Sequence, residues 1–215
     1  MRSSEIQLLT VLRMLSRQWI AASAFGCVVV WLAVAGNSQT VQKDDAKPSG
    51  LKNGGFEELD AAGLPTGWVF PPQLKAAGYK LATDDSNPLA GKHSGLVDST
   101  GVKEIRNSFG NLMQPLDARP YRGQRVRFRA AVRTAELAEG GRAQLWFRVD
   151  RTPSGGRPVV GAFDNMSDRP IRDGEWKRFD IVAQIDDEAE KILLGLLLLG
   201  TGKAWIDDAT LEVVP

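Results

Sequence analysis

The stretch QRVRFRAAVRTAELAEGGRAQLWFRVD, Gln124 to Asp150, decides the fold. In its first part Val126, Phe128, Ala130 and Val132 alternate with Arg125, Arg127, Arg129 and Arg133. That period of two puts the apolar side chains on one face of a strand and the guanidinium groups on the other. The last part repeats the pattern, with Leu145, Phe147 and Val149 facing one way and Gln144, Trp146 and Arg148 the other. Neither part has the 3.6-residue period of an amphipathic helix. The connection AELAEGG ends in two glycines and predicts a hairpin, so that Arg127, Arg129, Gln144, Trp146 and Arg148 share the face turned away from the core.

The same period extends on both sides of this stretch. EWKRFDIVAQI sends Trp176 and then Phe179, Ile181, Ala183 and Ile185 inward, with a parity break near Lys177 that predicts a bulge. KILLGLLLLG is different, because Ile192 to Leu199 is apolar on both parities and predicts a strand covered on both faces at the centre of a sheet. That run is too short to cross a bilayer. Further strands are expected at GWVF, YKLATD, HSGLVDS, NLMQPLDA, PVVGAFDN and AWIDDATLEVV, and one helical turn at Asp186 to Lys191. About ten short strands separated by Gly, Pro, Asn and Asp clusters suit two packed antiparallel sheets.

The N-terminus carries a separate signal. Arg2, Arg13 and Arg17 precede the apolar run WIAASAFGCVVVWLAVA, Trp19 to Ala35, which closes on the small-x-small triplet Ala33-Val34-Ala35. Residues 1–35 are therefore expected to act either as a signal peptide cut after Ala35 or as an uncut signal anchor. In both cases the positive flank leaves the remainder outside the cytoplasm. The expected location is periplasmic or extracellular, with an inner-membrane anchor at 19–35 if the segment stays. Residues 36–50 have the composition of a flexible linker, and 51–215 form one domain. Cys27 is the single cysteine, so the domain folds without a disulfide.

Composition removes several classes of function. With 27 basic and 26 acidic side chains there is no overall field to attract nucleic acid. His93 is the only histidine, which excludes a His-based metal site, and its neighbour Ser94 points to the opposite side of the strand, which excludes a Ser-His pair. The carboxylate pairs Asp84-Asp85, Asp186-Asp187 and Asp207-Asp208 are adjacent, so on a strand their members diverge, whereas a glycosidase pair must converge on one bond. No phosphate loop, nucleophile elbow or dinucleotide fingerprint occurs.

Five segments in order, NGGFEE…GLPTGW, GKHSGLVDS, QPLDARPYRGQRVRFRAAVRT, DGEWKRFDI and GKAWIDDATLEV, resemble a carbohydrate-binding-module-like jelly roll of the galactose-binding-domain-like superfamily. The resemblance implies an all-β fold, a two-sheet antiparallel jelly-roll sandwich, here preceded by an N-terminal hydrophobic export or anchor helix. It also implies a structural calcium joining the first strand to the last, which carries over to Glu57 and Asp208. The alternative for Glu57 is that it accepts hydrogen bonds at a strand edge.

On this scaffold the outward row has the composition of a sugar groove, because an indole stacks on a sugar's C–H face while Arg and Gln hydrogen-bond hydroxyls or a carboxylate. The expected function is that of an exported, non-catalytic carbohydrate-binding module. Its ligand would be a polysaccharide or cell-envelope glycan of acidic character, held by Trp146, Arg148, Gln144, Arg127 and Arg129. The alternative is a structural envelope module whose Ile192 to Leu199 strand and Trp146 face are covered by a protein partner. For Trp146 alone, the alternative to a sugar contact is that it lies under a loop or stacks on the flanking arginines.

Overall fold

The computed structural model describes residues 50–102, 109–154 and 157–215. The expected leader and nearly all of the linker lie outside them. Among the described residues no helix is long and apolar enough to cross a membrane. A short helix α1 (Pro72–Ala76) precedes nine strands: β1 (Lys80–Asp84), β2 (Ser94–Asp98), β3 (Phe109–Asp117), β4 (Arg125–Ala135), β5 (Arg142–Ser154), β6 (Arg157–Asp164), β7 (Lys177–Gln184), β8 (Ala189–Leu199) and β9 (Lys203–Val214). They form two antiparallel sheets, ordered β1-β2-β9-β4-β7 and β3-β8-β5-β6.

The core lies between the sheets and follows the parity of the sequence. Val126, Phe128, Ala130 and Val132 of β4 meet Leu145, Phe147 and Val149 of β5, with alternate residues of β8 and β9, in one buried cluster. β8 is flanked by β3 and β5, as its doubly apolar sequence predicts: Ile192, Leu194, Leu196 and Leu198 enter this cluster, while Leu193 and Leu197 belong to another on the outer face.

The opening NGGFEE segment fastens the N-terminal end of the domain to the five-stranded sheet. Asn53 closes a turn by donating to the carbonyls of Glu58 and Thr66 and accepting the Glu58 N–H. Gly54 runs against β9, where a Cβ would collide with the Ala209 carbonyl and where its own carbonyl accepts the Ala209 N–H. Phe56 is fully buried, stacked on Trp68 at 4.8 Å. It fills the space left by Gly95, whose absent Cβ would lie 2.5 Å from the Phe56 ring.

Four local expectations are corrected. GWVF forms only an isolated bridge, Val69 to Met113, and the chain then makes α1, which the Pro71-Pro72 start conceals. Asp186 to Lys191 is a turn rather than a helical one, because the Asp186 carboxylate accepts the Glu188 N–H and β8 already begins at Ala189. β7 pairs with β4 without interruption, and the irregularity lies instead in β9 at Asp208 and Ala209, opposite Ala130. Asp208 accordingly has φ of 48°. Finally, β4 and β5 are not hairpin neighbours: AELAEGG carries the chain from one sheet to the other. Gly140 takes φ of 76° there, and a Cβ on Gly141 would sit 2.9 Å from two carbonyl oxygens.

Candidate glycan-binding face

The crossing between β4 and β5 divides the expected site. Gln144, Trp146 and Arg148 lie on the outer face of the four-stranded sheet, whereas Arg127 and Arg129 lie on the outer face of the five-stranded sheet, on the far side of the sandwich. There Arg127 pairs with Asp180 and Glu212 at 3.3 and 3.1 Å, and the shared groove expected from a hairpin does not exist.

On the four-stranded face the parity is as expected but the exposure is not. Trp146 avoids the main core and packs with Leu193 and Leu197, flanked by Met113 and Leu199, yet it is only 6% exposed. Its Nε1 donates to Asn111 Oδ1 at 3.1 Å. Asn111 is on β3 and Trp146 on β5, so the indole lies across β8, where its register partner is Gly195. The ring is thus part of the floor of the face and not an open platform. Gln144 is also buried, donating to the Met166 carbonyl at 3.4 Å, with no protein partner for its Oε1.

The open aromatic on this face is Phe163, which is 57% exposed and sits opposite Arg148 in the β5–β6 register. Arg148 pairs with Asp150 at 2.7 Å, so the face carries a neutral ion pair where a cationic row was expected. Val160 lies opposite Asp150, Phe109 opposite Leu199, and Val69 bridges Met113. Four of the six exposed large apolar side chains among the described residues, Val69, Phe109, Val160 and Phe163, therefore lie on this one face. The alternation in PVVGAFDN carried the signal for Phe163, but its meaning depends on which face that strand turns outward, and this is set by a register shift after Arg148.

Part of the opposite outer face is closed. The guanidinium of Arg133 stands 3.7 Å from the Trp205 ring and 5.3 Å from the Trp176 ring, and the side chain is 9% exposed. Burial pushes Arg133 below its ordinary pKa, opposed by Asp84 and Glu175. Trp205 Nε1 donates to Asp84 Oδ2 at 2.8 Å, and Trp176 Nε1 to the Asn87 carbonyl at 3.1 Å. Trp176 therefore packs outside the sheet, whereas the sequence pattern sent it inward.

The residues expected to hold calcium are occupied otherwise. Glu57 Oε1 accepts the Lys92 and His93 amides at 2.8 and 3.0 Å, and those bonds hold its carboxyl below the usual range. Asp207 Oδ2 accepts the Leu89 and Ala90 amides at 2.9 and 3.1 Å; burial pushes its carboxyl up against the pull of those bonds. Asp208 pairs with Arg178. The 89–93 loop thus presents N–H donors to Glu57 and Asp207, and Arg178 a cation to Asp208, where an ion needs a ring of oxygens. Among the described residues no three metal-capable side chains converge. This donor set does not fit a resident calcium, and the edge hydrogen-bonding role of Glu57 is the one found.

Comparison with solved structures places the fold. The C-terminal family 22 carbohydrate-binding module of Clostridium thermocellum Xyn10B aligns at 15% identity and a TM-score of 0.50 over 74% of this chain and 95% of that one. A xylan-binding domain of the same family gives the same values. The enzymatically active domain of bacteriophage CBA120 tailspike protein 4 aligns at 11% identity and 0.50 over 75% of this chain but only 21% of its own length. No protein-family model and no curated protein matches the sequence. The chain shares the two-sheet antiparallel sandwich fold of these carbohydrate-binding modules.

Proposed function

We propose that the domain is an exported, non-catalytic carbohydrate-binding module whose glycan lies along the outer face of the four-stranded sheet. Phe163 offers its ring to the sugar's C–H face, and the Arg148–Asp150 pair offers donors and acceptors to hydroxyls. The open Phe163 ring beside Arg148 is the observation that carries this reading. Two of the three arginines that suggested an acidic ligand lie on the other sheet, and the third is neutralised by Asp150. We therefore take the ligand to be a neutral polysaccharide, such as the xylan named for the modules of like fold.

A non-catalytic role is supported by the state of the carboxylate pairs. Asp84 is bound to Trp205, Asp186 to Arg151, Asp208 to Arg178, and Asp207 to backbone amides. Isothermal titration of the full chain against xylo-oligosaccharides and oligogalacturonates tests the proposal. Binding of the neutral series, lost on Phe163→Ala, supports it; no binding of either series sinks it.

A second reading rests on the leucine floor of the same face, which is more apolar than a sugar groove requires. In that reading the domain is a structural module that buries this face against a protein partner. Phe163→Asp separates the two cases, since concentration-dependent self-association that this change abolishes favours the protein interface.

A further inference from the structure

Away from the sheet face just described, a cleft of about 630 Å³ opens between the Asp60–Phe70 segment, α1 and the start of β1. Leu64, Trp68, Phe70, Tyr79 and Leu81 line it, and its charged groups are Asp60, Lys75 and Lys80. Its size and mostly apolar lining with few polar groups are those of a small-molecule site. Asp60 Oδ1 is committed to its own turn, accepting the Ala62 and Leu64 amides at 2.8 and 2.9 Å. Among the described residues Lys75 and Lys80 form no ion pair, and both are exposed at the cleft.

We propose that this cleft is a second binding site, for a small aromatic carboxylate whose ring enters between Phe70 and the Trp68–Tyr79 wall while its anion meets Lys75 and Lys80. The chemistry follows from the lining. Two ammonium groups outnumber one carboxylate that is already hydrogen-bonded, so the unbalanced charge is positive. The aromatic walls favour a flat apolar body over an extended polar one. Neither Phe163 nor Arg148 lines the cleft, so it stands independently of the sheet-face reading.

Titration of the full chain with trans-cinnamate, trans-cinnamamide and octanoate, followed by saturation-transfer-difference NMR, tests this. Saturable binding of cinnamate is expected, weakened at least about tenfold in the uncharged amide and in Lys75→Glu/Lys80→Glu. That double variant should keep the parent Tm because both side chains are exposed, and Phe163→Ala should bind cinnamate normally. Absence of cinnamate binding, equal binding of the amide, equal binding of octanoate, or no effect of the double charge reversal would each overturn the proposal.

Discussion

The two outer faces of the sandwich solve opposite problems. On the five-stranded sheet Arg127, Arg178 and Arg133 are each matched to a carboxylate or an aromatic ring, and part of that face lies beneath Trp176 and the 85–93 loop. On the four-stranded sheet the floor is leucine and indole, and the open positions are Phe163, Phe109, Val160 and Val69. Paired polar groups under cover stabilise a fold, whereas open apolar side chains gathered on one face have no such role. The arginine-bearing strand, conspicuous in the sequence, thus serves architecture, while the quieter β6 carries the most exposed aromatic of the sheet faces.

Breaking the closed face should show in stability first. Trp205→Ala removes the ring beneath Arg133 and the donor to Asp84, and should cost about 3–5 kcal/mol in denaturant unfolding. Arg133→Ala should cost about 2 kcal/mol, the worth of a desolvated cation–π contact plus some lost packing. Wild-type-like stability in both would place that cluster outside the cooperative fold.

The closed cluster should also show in acid unfolding. Burial raises Asp84, but bonds from Ser86 and Trp205 and the nearby Arg133 more than offset it and hold the carboxyl below its ordinary value. A depressed carboxylate stabilises the fold above its unfolded pKa, and that contribution disappears as pH falls through the folded value, so it should fade below about pH 4. Asp84→Asn should therefore flatten the loss of Tm on acidification, whereas a change on the open face should leave that slope alone. Millimolar calcium or excess EDTA should leave Tm unchanged. A resident ion at 100 times its Kd would contribute about 2.7 kcal/mol, which thermal unfolding would detect. The smallest stability effect belongs to the open face: Phe163→Ala should stay within about 0.5 kcal/mol of the parent while abolishing glycan binding.

Much of the architecture was legible in alternation alone. The residues of β4 and β5 that face the core are those their parity indicates, and the doubly apolar β8 sits between two neighbours. Alternation gives faces but not partners, and this is where the reading of the site failed. The AELAEGG connection has the length and glycines of a hairpin loop, yet it changes sheets, so Arg127 and Arg129 never meet Trp146. Trp146 was placed on its proper face, but the bond to Asn111 that draws the ring across Gly195 joins residues 35 apart in sequence, and no local pattern announces it. The amide cradle of Glu57 was likewise hidden, because its donors are backbone groups of a distant loop.

The leucine-rich β8 also bears on how the protein reaches this state. Until β3 and β5 have docked on its two edges, Ile192 to Leu199 is an uncharged, proline-free segment with every requirement for pairing with its own kind. Glu190 and Lys191 on one side and the Gly200 turn, at φ of 76°, on the other are its gatekeepers. Refolding should therefore be a race between sheet completion and intermolecular stacking, and recovery of native protein should fall as the chain concentration rises.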